Sequence, residues 1–360
     1  MIRINPTTYV PVLRWKGAEQ TAISQTTNNI RRRMVPIIEP VLRDFMPLAG
    51  ASDMSAFAKS LAETCGWGSE RPLLLDPHLL GDDLASVVIP RFARAAQKYH
   101  ITFGLVTGIS RSESYQLSVQ EVVDQIGCDV ALRINPSEFR GVSFDDVIDR
   151  VASRLRVPNT VHLILDFQTL THEGTNFVPW VNRISRLDSW PSITFLSGAF
   201  PKDLTSLARN ETHTLPRADW QSWHYLLMQD PPRVPSFGDY TIQHGIFEER
   251  EGKHFNFSAS IRYTTPDGWL VMRGEGVLNE DGPGYAQWPA HAQLLMERSE
   301  FCHAEYSWGD KFMNDMGSQV EKTGQAKDWL AAGINHHMTM VANQLLEVQV
   351  GLVRASQQTS

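Results

Sequence analysis

Seven short apolar runs punctuate the N-terminal part of the chain: Tyr9 to Leu13, Val35 to Ile38, Leu73 to Leu75, Ile101 to Val106, Val130 to Ile134, Val161 to Leu165 and Ile193 to Leu196. Helix-like segments separate them. A strand buried on both faces reads as a continuous apolar stretch, and strands alternating with helical patterns imply βα units. Several strands stop on a polar residue: Arg14, Glu39, Asp76, Asn135 and Asp166. The pattern predicts an α/β fold, a (βα)8 TIM-like barrel whose chemistry sits where the strands end. A doubly wound open sheet is the competing fold.

Between the strands, a helix is expected from Ala18 to Arg32 and another from Met54 to Thr64. A third, capped by Asp82 or Asp83, should kink at Pro90. Ser110 with Glu113 and Ser143 with Asp146 read as capping pairs, the second for a helix through Val147, Val151 and Leu155. Pro201 and Asp203 suit a short helix through Leu207. The rhythm then weakens. Trp220 to Met228 reads as helix or strand, and Tyr240 to His244 is the candidate eighth strand. Ser260 to Thr264 and Trp269 to Arg273 flank Thr265, Pro266, Asp267 and Gly268, a turn signal that predicts an inserted β-hairpin projecting from the barrel rim. Helices are expected over Gln287 to Glu297, Asp310 to Glu321 and Ala326 to Val353, with a frayed tail from Ala355. No Pro/Gly/Ser-rich linker divides the chain. The expected arrangement is a barrel over 1–250, with the hairpin and C-terminal helices of 251–360 packed on it.

Composition narrows the class. The 360 residues are 42% hydrophobic and 20% charged, with a formal net charge of −7, values of an ordinary globular protein. That balance argues against coating nucleic acid non-specifically, which needs a basic surface. Arg31, Arg32 and Arg33 make a compact basic run, but they close a helix-like segment where cations offset the helix dipole. Cys65, Cys128 and Cys302 are too few and too widely spaced for a disulfide framework or metal knuckle. With no signal-peptide pattern at Met1 to Pro11 and no apolar stretch near the roughly 20 residues of a membrane span, a cytoplasmic protein away from membranes is expected.

The candidate chemistry lies at strand ends. Glu39, Asp76 and Asp166 end three different strands, where a closed barrel gathers them to hold a divalent cation or act as acid and base. Helix caps or arginine partners would equally explain them. Arg133 and Asn135, two apart on the fifth strand, should face the same way, the arginine toward phosphate or carboxylate. The alternative is an ion pair from Arg133 to Asp166 or Glu39 inside the barrel. Arg14, Trp15, Lys16 and Glu19 place cations beside an aromatic, and Lys202 sits at an expected helix start that favours anions. Asp239 and His244, five apart, point to opposite faces of one strand. Arg262 and Arg273 come onto a shared surface if the hairpin pairs. His336 and His337 diverge by roughly 100° on a helix and resist a shared metal; one is expected to face the barrel and the other solvent. Asp76 with His78 is a ligand spacing, though a common one.

The opening Tyr9 to Glu19, the phrase Pro36 to Pro40, Phe200 to Asp203, Phe237 to Tyr240, Ile261 to Thr264, Arg273 with Gly274, Ser307 to Asp310 and Asn335 to His337 resemble the beta family proteins of bacteria and their phages. The resemblance runs over nearly the whole chain. It implies a component of phage and mobile-element loci with a role in phage defence, and it supplies no catalytic residues. It also implies that Glu39, Lys202, Asp239, Arg262, Arg273 and the histidine pair gather at one functional surface. Two functions follow as expectations. One is a metal-assisted hydrolase of a phosphorylated or nucleotide-like substrate, with Glu39, Asp76 and Asp166 in catalysis and Lys16, Arg133, Asn135, Lys202, Asp239, Arg262, Arg273 and His336 holding substrate. The other is a non-catalytic sensor that binds a phage or host component and acts with a partner protein from the same locus.

Overall fold

The computed structural model describes residues 2–42, 54–64, 66–68, 70–139, 143–146, 161–170, 175–249, 256–319 and 322–358. Its frame is a run of parallel strands: β1 (Val10–Arg14), β2 (Ile37–Glu39), β3 (Leu73–Leu75), β4 (Phe103–Thr107), β5 (Asp129–Ile134), β6 (Val161–Thr169) and β7 (Ile193–Gly198). After β8 (Glu211–Pro216), which leaves the frame, β9 (Ser236–Asp239) pairs with both β7 and β1 and closes an eight-stranded parallel barrel. The open-sheet alternative is excluded by that closure.

Alternation along the strands sorts the residues. Val10, Val12, Ile37, Leu74, Val106, Ala131, Ile164 and Leu196 form one buried cluster with Ile2 and Ile4, the filling of the barrel. The Ile2 N–H donates to the Asp129 carboxylate at 2.5 Å, which ties the N-terminal segment to the start of β5. Two residues beyond Val12, Ile37, Leu74, Ala131 and Ile164 come Arg14, Glu39, Asp76, Arg133 and Asp166. A period of two therefore aims all five into the same lumen, one layer nearer the mouth.

The eighth strand is Ser236–Asp239, not the expected Tyr240 to His244. Thr241 has a positive φ of 58° and its N–H bonds the Asp239 carboxylate at 2.8 Å, so the chain turns there. No helix forms over Pro201 to Leu207, because the Asp203 side chain takes the Thr205 N–H at 2.9 Å in a local turn. Trp220 to Met228 is helical, within Ala218–Met228. The helix expected from Ala18 to Arg32 breaks into Gly17–Ser24 and Asn28–Arg31, where the Thr26 hydroxyl and the Asn335 amide occupy the Ala22 carbonyl. Pro90 lies inside an unbroken helix, Asp82–Lys98, and Ser112 rather than Ser110 caps Glu113–Ile126. Ser143 accepts from the Asp146 N–H at 3.1 Å; Val147, Val151 and Leu155 lie outside the described residues.

The hairpin does not project freely. β10 (Ser258–Thr264) and β11 (Gly268–Gly276) pair antiparallel, and β8 adds to the other edge of β11. An isolated two-stranded hairpin is marginal in water, and the third strand and a covered face supply what it lacks. Helices Gln287–Met296, Trp308–Ser318 and Ala326–Gln358 bury that sheet in a second core around Tyr263, Trp288, Met313 and Trp329. The long helix Ala326–Gln358 packs on β10 and on the first barrel helix. At Gly333 a Cβ would lie 2.7 Å from the Arg262 carbonyl, so glycine permits that close contact.

Candidate functional site

The barrel mouth is built around Arg133. Its Nη1 donates to Glu39 Oε1 at 2.6 Å and Asp76 Oδ2 at 2.8 Å, its Nε to Asp166 Oδ2 at 3.0 Å, and its Nη2 to the Tyr240 hydroxyl at 2.8 Å. Tyr240 in turn donates to Asp166 Oδ2 at 2.7 Å. All five side chains are buried. The ion-pair alternative for Arg133 is thus realised with Glu39 and Asp166, and with Asp76 as well. Burial disfavours the guanidinium charge, yet Tyr240, Asp166, Glu39 and Asp76 hold its pKa well above the ordinary arginine value. Burial likewise opposes the Asp76 charge, but His78, Arg111 and Arg133 keep its carboxyl well below the usual range.

A second set flanks this centre. Arg111, from the turn after β4, reaches both Asp76 oxygens at 3.3 Å, and the Tyr115 hydroxyl lies 3.3 Å from Asp76 Oδ1. Arg14 Nε lies 3.7 Å from Glu39 Oε2, and its Nη2 donates to the Gly245 carbonyl at 2.7 Å. His78, 22% exposed at its side chain, brings Nδ1 to 3.1 Å from Asp76 Oδ1 and 3.8 Å from Glu39 Oε1. That nitrogen makes no hydrogen bond. Ligand atoms of Glu39, Asp76 and His78 all lie within 4.8 Å of one another, a spacing that suits one hard or borderline cation. Asp166 is outside this trio and belongs to Arg133, Tyr240 and the Gln168 N–H.

The remaining predicted residues separate. Lys16 is half-buried, with Nζ 4.4 Å from the Phe247 ring centroid beside the mouth. Trp15 is buried edge-on to Phe57, and Glu19 accepts from Gln243 at 2.6 Å. Asn135 does not share the direction of Arg133, because its Oδ1 caps a turn by accepting from the Ser137 N–H at 2.8 Å. Asp239 and His336 lie in the interior. His337 Nε2 is 2.9 Å from Asp239 Oδ2 and its Nδ1 2.9 Å from the Thr264 hydroxyl. His336 Nδ1 is 2.8 Å from Asp310 Oδ2 and its Nε2 2.8 Å from the Thr264 carbonyl. Neither histidine faces solvent, contrary to the expectation for one of them, since each bridges the long helix to a buried carboxylate. Lys202, Arg262 and Arg273 line a separate cavity beside the mouth. The expected single surface is therefore divided into a mouth, a buried histidine clamp and a cavity.

Arg111 and Tyr115 had no signal in the sequence, because both reach the mouth from the turn and helix after β4. Tyr240 had one: it stands two residues beyond Gly238, the position of β9 that packs beside Val10 and Leu196.

A family model described as Beta protein matches residues 9–343. The chain belongs to the Beta protein family. No curated protein matches it. Among solved structures, this Beta protein family member is similar to the YdjI aldolase from Escherichia coli K12, at 12% identity and a TM-score of 0.34. That match covers 64% of this chain and 74% of that chain, and so slight a likeness carries nothing about reaction.

Proposed function

We propose that the barrel mouth binds a divalent cation on Glu39, Asp76 and His78 and that the protein is a metal-assisted hydrolase of a phosphorylated or nucleotide-like substrate, acting in phage defence. The observation that carries the reading is the convergence of ligand atoms from Glu39, Asp76 and His78, all within 4.8 Å of one another. One carboxylate oxygen from each acid and an imidazole nitrogen make a donor set that suits a divalent cation. Such an ion supplies a Lewis acid and an activated water. Arg111 and Arg14 flank the trio and offer positive charge where a phosphoryl group gains negative charge. The family resemblance supports the phage-defence setting.

A second reading rests on Arg133. It bonds Glu39, Asp76 and Asp166 together and, with Arg111 beside Asp76 and Arg14 beside Glu39, balances the mouth without an ion, as a non-catalytic protein that recognises a phage or host component with a partner would allow. The test is hydrolysis of bis(p-nitrophenyl) phosphate with and without Mn²⁺, alongside phage plaquing. The hydrolase reading expects Mn²⁺-dependent turnover and protection that both vanish in folded Glu39→Gln and His78→Ala. Protection that persists in both variants favours recognition.

A further inference from the structure

Beside the mouth lies a cavity of about 490 Å³, within the size range of small-molecule sites. Its walls come from the β10–β11 hairpin, the loop after β7, Ile242, Trp288 and the long helix. Lys202, Arg209, Arg262 and Arg273 line it; Asp203 is the acid that lines it among the described residues. The β10–β11 register explains the arginine pair. Ser260 pairs with Arg273 and Arg262 with Val271, so both arginines stand on one face of the sheet.

Arg273 is the decisive residue. It is 7% exposed, and its Nη1 donates only to backbone, the Thr205 and Leu207 carbonyls. Its Nε is buried without a hydrogen-bond partner. Among the described residues no carboxylate comes within ion-pair distance of Arg273 or Arg209. A buried guanidinium without counter-charge is costly, and an anionic ligand removes the cost. Asp203, whose Oδ1 accepts the Thr205 N–H at 2.9 Å, forms no ion pair with Arg273. Phe257, 38% exposed, presents a ring to the same cavity, 6.2 Å from the Trp288 ring. Arginine also accepts planar groups on its face, as Arg262 does over Phe200 at 4.7 Å.

We propose that this cavity binds a small phosphorylated molecule bearing a flat ring, by class a nucleoside phosphate, with the phosphoryl group at Arg273 and Arg262 and the ring at Phe257. The site stands apart from the proposed cation site, although the segment 240–248 forms a wall of both. Tyr240 bonds Arg133 in the mouth, Ile242 lines the cavity, Gly245 takes Arg14, and Glu248 pairs with Lys202.

The test is calorimetric titration of the full chain with inorganic phosphate, ribose 5-phosphate and AMP, in EDTA so that cation-dependent binding at the mouth is silent. AMP is expected to bind at least about tenfold more tightly than the other two, from ring contact worth that much. Lys202→Glu with Arg209→Glu changes exposed loop positions and leaves folding intact. It should weaken every phosphorylated probe by about tenfold or more through lost charge. Phe257→Ser should weaken AMP and leave phosphate unchanged. The proposal is overturned if no phosphorylated probe gives saturable heat at millimolar concentration, or if charge reversal leaves affinity unchanged. AMP binding no better than ribose 5-phosphate overturns the ring assignment.

Discussion

The mouth and the neighbouring cavity are both rich in arginine, and they differ in what the arginines meet. Arg133 lies in the lumen against Glu39, Asp76 and Asp166. Arg273 is as buried, yet meets only backbone carbonyls among the described residues. A buried cation matched by carboxylates organises a site from within, whereas an unmatched one leaves room for an anion from outside. The number of basic residues at a surface says less than whether each has a counter-charge.

Removing the two arginines should separate the regions most sharply. Arg133→Met removes the cation shared by three buried carboxylates and should cost about 3–5 kcal/mol of stability, read from urea unfolding. Arg273→Met removes a charge with no carboxylate partner among the described residues, so its lost carbonyl contacts and the relieved burial of charge oppose each other and stability should change by less than about 1 kcal/mol. Equal costs would erase the distinction.

The carboxylates repeat the contrast. Asp219 is buried near Asp239, its Oδ2 has no hydrogen-bond partner, and burial with the Asp239 charge pushes its pKa from 3.8 up to about 7. Because the folded state holds that proton more tightly than the unfolded chain, this group subtracts stability as pH rises from about 4 to 7. Asp219→Asn should therefore stabilise the protein by about 2–4 kcal/mol at pH 8 and change little at pH 4. Asp76 has the opposite sign. Its folded pKa is depressed, so its contribution is present above about pH 4 and is lost as pH falls through the folded value. Denaturation midpoints across pH for the wild type and Asp76→Asn would show the acid-side loss shrinking in the variant.

Smaller effects belong to the edges of both regions. His78→Ala, at a half-buried position, should change stability by less than about 1 kcal/mol. Lys202→Ala breaks an exposed pair with Glu248 and should leave the melting temperature unchanged, since such pairs contribute about 0–1 kcal/mol.

The barrel was legible because its strands are buried on both faces and so read as unbroken apolar runs. Glu39, Asp76, Arg133 and Asp166 were legible for the same reason, each standing where an inward run ends. Periodicity could not show which of them pair, because Arg133 reaches residues 94 and 57 positions away. β8 was hidden: Glu211, Thr212, His213, Thr214 and Leu215 form a polar, mostly exposed edge strand, which carries none of the apolar signal of the barrel. The histidine pair was misread because adjacent helical residues diverge, and divergence was equated with one exposed partner. Here the long helix is enclosed on both sides, by the barrel and by the second sheet, so both directions lead to a buried carboxylate.

The balance struck at the mouth is most directly examined by titrating the metal-free protein with Mn²⁺ and following bound ion by electron paramagnetic resonance. One saturable site is expected in the wild type, absent in His78→Ala and Glu39→Gln at unchanged circular dichroism. No saturable Mn²⁺ binding, or binding undiminished in His78→Ala, would contradict the cation site and leave the arginines Arg133, Arg111 and Arg14 as the counter-charges of the mouth.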